Sequence, residues 1–142
     1  MTVTWFEIHA LATLFLCGLA WFVQVVHYPL MARVGERQWS EYHRAHVART
    51  TWIVMPAMTL EALSALWLAW TAASAATWSG LALVGLVWLS TAFVQVPLHS
   101  RLERGFDARV HARLVASSWI RTGAWSARAV LATAWIGPGT PS

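Results

Sequence analysis

Histidines at one end of three long apolar stretches are the residues most able to do chemistry in this chain of 142 residues. Neutral imidazole is the commonest nitrogen ligand for metals, and helix bundles build metal sites from histidines on facing helices. His27, His46 and His99 therefore predict a site for a copper, iron or zinc ion, or axial ligands for a haem iron. The alternative is that these histidines only satisfy polar backbone or lipid headgroups near a membrane surface.

A second set of polar residues lies deeper in the apolar stretches. Glu61 is the only acidic residue in the middle of one of them, so its carboxylate must be paired or protonated there. Arg121, which cannot lose its charge, is the predicted partner, and His9 can exchange protons near neutral pH. The set predicts either an ion pair that fixes helix packing or a catalytic proton-handling site of Glu61, Arg121 and His9.

Two glutamines accompany the histidines. Gln24 precedes His27 in a sequence that is echoed where Gln95 precedes His99, although the spacing differs by one residue. Pro97 is expected to absorb that difference by kinking its helix. The echo predicts equivalent depths for the two Gln/His pairs, and both glutamines are candidate cofactor contacts.

Two tryptophans flank the predicted arginine of the ion pair. Trp119 and Trp125 lie on either side of Arg121 in the sequence and offer flat rings against which a quinone or porphyrin can stack. Both are therefore candidate cofactor-binding residues, with packing or lipid contact as the alternative.

The elements that must position these residues are apolar helices. Apolar residues make up 58% of the chain and charged residues 11%, well below the about 25% charged residues of a soluble domain. A membrane-spanning helix needs roughly 20 mainly apolar residues, and four segments qualify: 5–28, 51–70 with a helical extension back to about 40, 77–98 and 114–136. We predict an all-α integral membrane protein, one domain folded as an up-down four-helix bundle over residues 1–142. Because two arginines interrupt the last segment, three spans are the alternative.

The arginines predict the orientation of these helices. The chain has no lysine, and eight of its ten arginines lie in the connections between the first and second and the third and fourth segments. By the positive-inside rule these connections face the cytoplasm and both termini face the opposite side of the inner membrane. The formal net charge of +4 is then explained by topology and contact with anionic lipids, and nucleic-acid binding is not expected.

Distance along the helices sorts the polar residues into two layers. At 1.5 Å per residue, Glu61 lies ~22 Å outward from His46, and Arg121 lies ~15 Å outward from His111. We expect an inner layer of histidines near the cytoplasmic side and an outer layer that contains Glu61, Arg121 and His9.

Three strings of residues resemble a known group of sequences. Phe22–Leu30, Val94–His99 and Ser118–Thr122 look like strings of an uncharacterised family of bacterial four-span integral membrane proteins, and the resemblance covers nearly the whole chain. It implies the four-helix fold and carries no settled activity. The size and four-span layout are more distantly similar to the anthrone-oxygenase-like membrane family.

Three functions agree with these patterns. The favoured one is a membrane redox protein or oxidoreductase that binds a metal ion, haem or quinone between the inner histidines. The alternative is a non-enzymatic subunit or assembly factor, in which the polar residues lock the helices together within a homo-oligomer or larger membrane complex. A minor third is a small proton-coupled carrier that uses Glu61.

Overall fold

The computed structural model describes residues 4–135, and this part of the chain contains four long helices and no strand. Their bounds are Trp5–Met31 (α1), Glu36–Ala72 (α2), Ala75–Leu102 (α3) and Ala108–Trp135 (α4). The all-α class and the four predicted helices are confirmed. Helix α2 begins slightly earlier than predicted, and the last residue of the fourth predicted segment, Ile136, lies outside the described residues.

Three of the helices begin at capping side chains. Thr4 and Glu7 form a reciprocal capping box at α1, and Ser74 and Thr77 form another at α3. At α4, the carboxylate of Asp107 accepts hydrogen bonds from two backbone N–H groups of the first turn. These side chains satisfy backbone donors that the start of a helix leaves without partners.

The connection between α2 and α3 is a turn of two residues. Ala73 adopts a left-handed conformation with φ of 43°, and its N–H still bonds back to the carbonyl of Ala69. Ser74 follows at once as the cap of α3. The turn between the two helices therefore contains no charged residue.

Two helices are widened by π turns at similar places. The turns span Val23–His27 in α1 and Thr91–Gln95 in α3, and each ends two residues before a proline, Pro29 or Pro97. A proline has no N–H for the carbonyl four residues earlier, and its ring crowds that carbonyl. The added residue of a π turn accommodates both effects. The irregularity expected at Pro97 is thus a π turn, and α1 has a matching one.

Two apolar clusters hold the helices together, and each receives side chains from all four. Within the described chain α1 contacts α2 and α4, while α3 contacts α4 and α2. The first cluster contains Leu16, Met58, Val87, Ala124 and Trp125. The second contains Tyr28, Met31, Trp39, Leu102 and Leu114.

Three of the described helices, α1, α2 and α3, are long and apolar enough to cross a membrane by their length and composition. Helix α4 is not among them. It carries four arginines, including Arg121 and Arg128 in its middle.

Candidate functional site

One polar site surrounds Glu61, whose side chain is only 1% exposed. Its carboxylate accepts hydrogen bonds from Thr13 Oγ1 at 2.9 Å, Trp125 Nε1 at 3.0 Å and Arg128 Nε at 3.0 Å. The last of these is also a salt bridge between two buried side chains. The carboxylate therefore has three donors and a counter-charge.

Arg128 extends this site toward α1 and α3. Its Nη1 donates to the carbonyl of Gly80, and its Nη2 lies 3.3 Å from His9 Nε2. The other ring nitrogen of His9 lies 2.9 Å from Ser64 Oγ. We call these residues the outer network: His9, Thr13, Glu61, Ser64, Trp125 and Arg128.

The predicted partner of Glu61 was wrong: Arg128, and not Arg121, forms the ion pair. The same rise per residue places Arg128 ~26 Å outward from His111, close to the ~22 Å separation of Glu61 from His46, whereas Arg121 reaches only ~15 Å. The rise per residue therefore favours Arg128, although the alignment of α2 with α4 decides between the two arginines. Since the Glu61 carboxylate already accepts from three donors, one of them a cation, the contacts favour the ion-pair interpretation over a proton-handling one.

His9 was predicted to be a neighbour of Glu61, and it belongs to the same network. His9 reaches the outer network through Arg128 and Ser64 rather than through the carboxylate itself. Its ring also borders a small cavity of about 40 Å³ next to Gly80.

A second polar site lies among four histidine rings of α1, α2 and α3. The rings of His27 and His46 stack with their centroids 4.4 Å apart, and the centroid of His99 is 5.9 Å from that of His46. His43 Nε2 lies 3.1 Å from His99 Nδ1. We call His27, His43, His46 and His99 the imidazole group. His43 lies one turn before His46, a spacing that lets both side chains reach one ion, although it is not one of the three predicted ligands.

The contacts inside this group limit what it can ligate. Because the rings of His27 and His46 meet face to face, their nitrogen lone pairs do not converge on one point. Within residues 4–135, no group of three histidine, cysteine or acidic side chains is arranged to hold a metal ion. Metal or haem ligation by His27, His46 and His99 stays a prediction.

Arg121 belongs to this second site. Its Nη2 donates to Tyr28 Oη at 3.4 Å and to Ser118 Oγ at 3.2 Å. Its Nε is buried and has no hydrogen-bond partner in the described part of the chain. Among the same residues Arg128 has an ion pair and Arg121 has none.

Two adjoining cavities separate Arg121 from the imidazole group. The larger has a volume of about 270 Å³ and the smaller about 80 Å³, and His46, His99 and Arg121 border both. Exposed Met55 and Val96 lie at the edge of the larger one, which places its mouth between α2 and α3. We call the two together the inner cavity.

The two predicted glutamines have different surroundings. Gln95 borders the inner cavity, accepts a hydrogen bond from Ser90 Oγ at 3.0 Å and donates to Ser117 Oγ at 3.3 Å. Gln24 donates to the carbonyl of Val115 at 3.1 Å and is not among the residues that line the cavity. It is the second residue of its π turn, whereas Gln95 is the last, so the two are not equivalent.

The two predicted tryptophans also have different surroundings. Trp125 is buried, donates to Glu61 and borders the smaller part of the inner cavity. Trp119 is 49% exposed and its ring meets Trp21 edge-on at 5.6 Å, away from the cavity walls. Of the pair, only Trp125 lines the cavity.

Three buried polar atoms beside the inner cavity have no hydrogen-bond partner in the described chain: His43 Nδ1, Thr91 Oγ1 and Arg121 Nε. Four further unsatisfied atoms belong to residues that do not line it: Gln24 Oε1, His27 Nε2, Trp88 Nε1 and His111 Nε2. None belongs to the outer network. Buried polar groups are normally bonded, so unsatisfied ones point to a missing water or ligand.

Comparison with known protein families, with curated proteins and with solved structures found no match. The predicted family resemblance stays a prediction, and the function must be argued from the site.

Proposed function

We propose that this chain is a membrane-embedded redox protein that binds the ring of a quinone in the inner cavity. The observation that carries the proposal is Arg121, a half-buried cation that borders the cavity with a buried, unbonded Nε donor and, among residues 4–135, no counter-charge. An arginine of this kind is suited to the carbonyl oxygen of a quinone, or to the oxygen that becomes negative when the ring is reduced.

The membrane location is supported by the three apolar helices and by the burial of polar groups between helices. The two apolar clusters support an up-down bundle, because residue numbers rise from the first cluster to the second in α1 and α3 and fall in α2 and α4. Helix α4 is the fourth span in this proposal, since its Arg128 is buried against Glu61 and need not meet lipid. The arginine-rich connections then face the cytoplasm, and both termini face outward.

The size and lining of the cavity favour a single ring system. Pockets for drug-sized ligands usually measure about 300–1,000 Å³. A cavity of about 270 Å³ lies just below this range. It therefore suits one or two fused rings and is too small for a porphyrin. Apolar side chains, Val54, Met55 and Met58, line the cavity together with the polar ones. A quinone, which is a flat ring with two polar carbonyl oxygens, can contact both kinds of side chain.

The mouth of the cavity also agrees with a ligand that arrives from the membrane. It lies between α2 and α3 at exposed apolar side chains, Met55 and Val96. A quinone with an apolar tail can place its ring among the polar groups while the tail remains in lipid.

The proposal is tested by titrating purified protein in detergent with a decyl-substituted benzoquinone and following the quenching of tryptophan fluorescence. We expect saturable quenching and at least a tenfold weaker affinity for Arg121→Met, the loss of about 1.4 kcal/mol that one charged hydrogen bond supplies. Arg113→Met, which removes an exposed arginine, is the matched control and should bind as the wild type does. Absence of saturable quenching in wild-type protein would overturn the proposal.

A visible absorption spectrum and metal analysis of the same preparation test the other cofactors. A Soret band or a stoichiometric transition metal would replace the quinone with a haem or metal ion held by His27, His46 and His99. Such a result would require the stacked rings of His27 and His46 to separate on binding.

A structural subunit is the second candidate function, and one observation favours it. His43 is 1% exposed, stacks on Trp39 with centroids 5.5 Å apart and bonds to His99, while Trp39 Nε1 donates to the carbonyl of Leu102 at 2.6 Å. These contacts lock α2 to α3. If the chain is a subunit of a homo-oligomer or larger complex, solubilisation in a mild detergent should yield a stoichiometric assembly, and quinone titration should give no saturation.

A further inference from the structure

A continuous line of hydrogen-bonding groups runs along one side of the inner cavity. His43 Nε2 is 3.1 Å from His99 Nδ1, and His99 Nε2 is 3.4 Å from Tyr28 Oη. Tyr28 Oη in turn lies 3.4 Å from Arg121 Nη2. Three titratable side chains from α2, α3 and α1 are thus joined end to end.

The direction of these hydrogen bonds follows from the donors. An arginine can only donate, so Tyr28 Oη accepts from Arg121 and its own proton points to His99 Nε2. A neutral His99 then carries its proton on Nδ1 and donates to His43 Nε2, which leaves the proton of His43 on Nδ1. One tautomer of each ring satisfies every contact, and all the donors point the same way.

The two ends of the line meet different surroundings. Tyr28 and Arg121 border the smaller part of the cavity, where the proposed ligand would meet them. At the other end, His43 Nδ1 is buried without a partner among the described residues, and the exposed side chain of Glu103 borders the same cavity. The line therefore leads from the ligand position to an exposed carboxylate beside the arginine-rich connection of α3 and α4.

We propose that Tyr28, His99 and His43 form a proton relay between the ligand in the inner cavity and the surface at Glu103. The proposal rests on the proposed function and assigns a role to residues around that site. A quinone ring gains or loses protons whenever it gains or loses electrons, and a ring that enters from the lipid between α2 and α3 needs a path for those protons within the protein. A relay of this kind supplies the missing path.

Each transfer in the relay is a proton transfer and involves no electron transfer. A hydroxyl of the bound ring gives its proton to Tyr28 Oη as Tyr28 passes its own to His99 Nε2. His99 releases its Nδ1 proton to His43 Nε2, and His43 releases its Nδ1 proton to water beside Glu103. The ligand hydroxyl becomes an oxyanion next to Arg121, the three side chains stay neutral, and both rings have exchanged tautomers.

Three other histidines lie near the relay. His46 borders the cavity opposite Arg121, and its Nδ1 lies 3.2 Å from Thr50 Oγ1. His27 stacks on His46, and the ring of His111 lies 5.7 Å from that of Phe106. These imidazoles lie beside the line and are not links in it.

The test uses full-length protein with 2-hydroxy-1,4-naphthoquinone as the probe, because ionisation of its hydroxyl changes its visible absorbance. A stopped-flow pH jump across the ionisation of the probe measures how fast the bound probe exchanges its proton. We expect Tyr28→Phe and His43→Gln to slow this exchange at least about a hundredfold, the low end of the about 10²–10⁴-fold effects of positioned acid–base groups. Their dissociation constants for the probe should stay within about threefold of the wild-type value, the range of ordinary scatter between such measurements.

Tyr42→Phe is the matched control, because it removes the only other tyrosine hydroxyl of the chain and leaves the relay untouched. His43 is fully buried, so Tyr28→Phe, which removes one oxygen, remains the decisive variant if His43→Gln does not fold. Wild-type exchange rates in a Tyr28→Phe protein that binds the probe would overturn the relay and leave the proposed function standing. Failure of wild-type protein to bind the probe, together with no binding of the decyl benzoquinone, would overturn both.

Discussion

The outer network and the inner cavity contain similar side chains and use them in opposite ways. Each has an arginine of α4, buried in the first and half-buried in the second, together with at least one histidine and a threonine. In the outer network, Arg128 is neutralised by Glu61, and every side chain of the network makes a hydrogen bond. In the inner cavity, Arg121 has only two long neutral contacts and an unbonded Nε within the described chain.

The difference separates a structural site from a binding site. A closed network of satisfied groups fixes the packing of helices, and in an apolar interior its removal is costly. Groups that stay unsatisfied beside a cavity lower the stability of the empty protein, and a ligand that completes their bonds recovers that stability. Three predictions test this contrast, and a fourth concerns a residue outside both sites that serves as a reference.

Arg128→Ala should have the largest effect, because it leaves the Glu61 carboxylate buried without its counter-charge. Loss of one partner of a buried pair costs about 3–5 kcal/mol, so a large fall in the thermal midpoint in detergent is expected. Arg113→Ala, on an exposed part of α4, should change stability by less than about 0.5 kcal/mol. An unchanged midpoint for Arg128→Ala would show that Glu61 does not depend on the pair.

A matched pair of threonine substitutions gives the next largest difference. Thr13→Val removes a hydroxyl that donates to Glu61 at 2.9 Å, and bonds to charged groups contribute about 1.5–3 kcal/mol. Thr91→Val removes a buried hydroxyl that has no partner in the described part of the chain, so it should be neutral or stabilising. Chemical unfolding of both variants measures the contrast, and equal losses would contradict it.

Arg121→Met should leave stability unchanged or raise it by up to about 1 kcal/mol, because a charge without a counter-charge is replaced by an apolar side chain of similar length. The same variant should lose quinone affinity. Thermal midpoints with and without the decyl benzoquinone check both statements: the quinone should raise the midpoint of wild-type protein and not that of the variant. A strongly destabilised variant would place Arg121 with the structural residues.

Asp107→Asn should have the smallest effect and serves as a reference outside both sites. Hydrogen bonds from the backbone N–H groups of Val110 and Arg109 hold the pKa of the Asp107 carboxyl below its usual range. Since its folded pKa is depressed, the carboxylate adds stability above the usual pKa of an aspartate, and this is lost as pH falls through the folded pKa. The stability difference between wild type and Asp107→Asn should therefore shrink in acid. A difference that stays constant with pH would rule out this contribution.

Much of the fold could be predicted from local sequence. Long apolar segments and capping residues such as Thr4, Ser74 and Asp107 define the helices, because length, hydropathy and backbone satisfaction act over a few neighbouring residues. The division of polar residues into two layers also followed from the constant rise of a helix, but Arg121, predicted in the layer of Glu61, lies with the histidines instead. Pro29 and Pro97 marked the places where π turns occur, although the sequence alone did not show that form.

The sequence by itself determined which polar residues had to find partners, and only the tertiary structure decided which partners they found. Glu61 needed a cation, yet the choice of Arg128 over Arg121 depends on how α2 and α4 are aligned, a shift of two helical turns. Likewise, the histidines were placed at one depth by sequence, but ring contacts set by helix packing joined His43 to His99 and turned His27 onto His46. Spacing along a helix fixes depth and face, whereas the pairing of side chains depends on the rotation and height of each helix against its neighbours, which no single segment encodes.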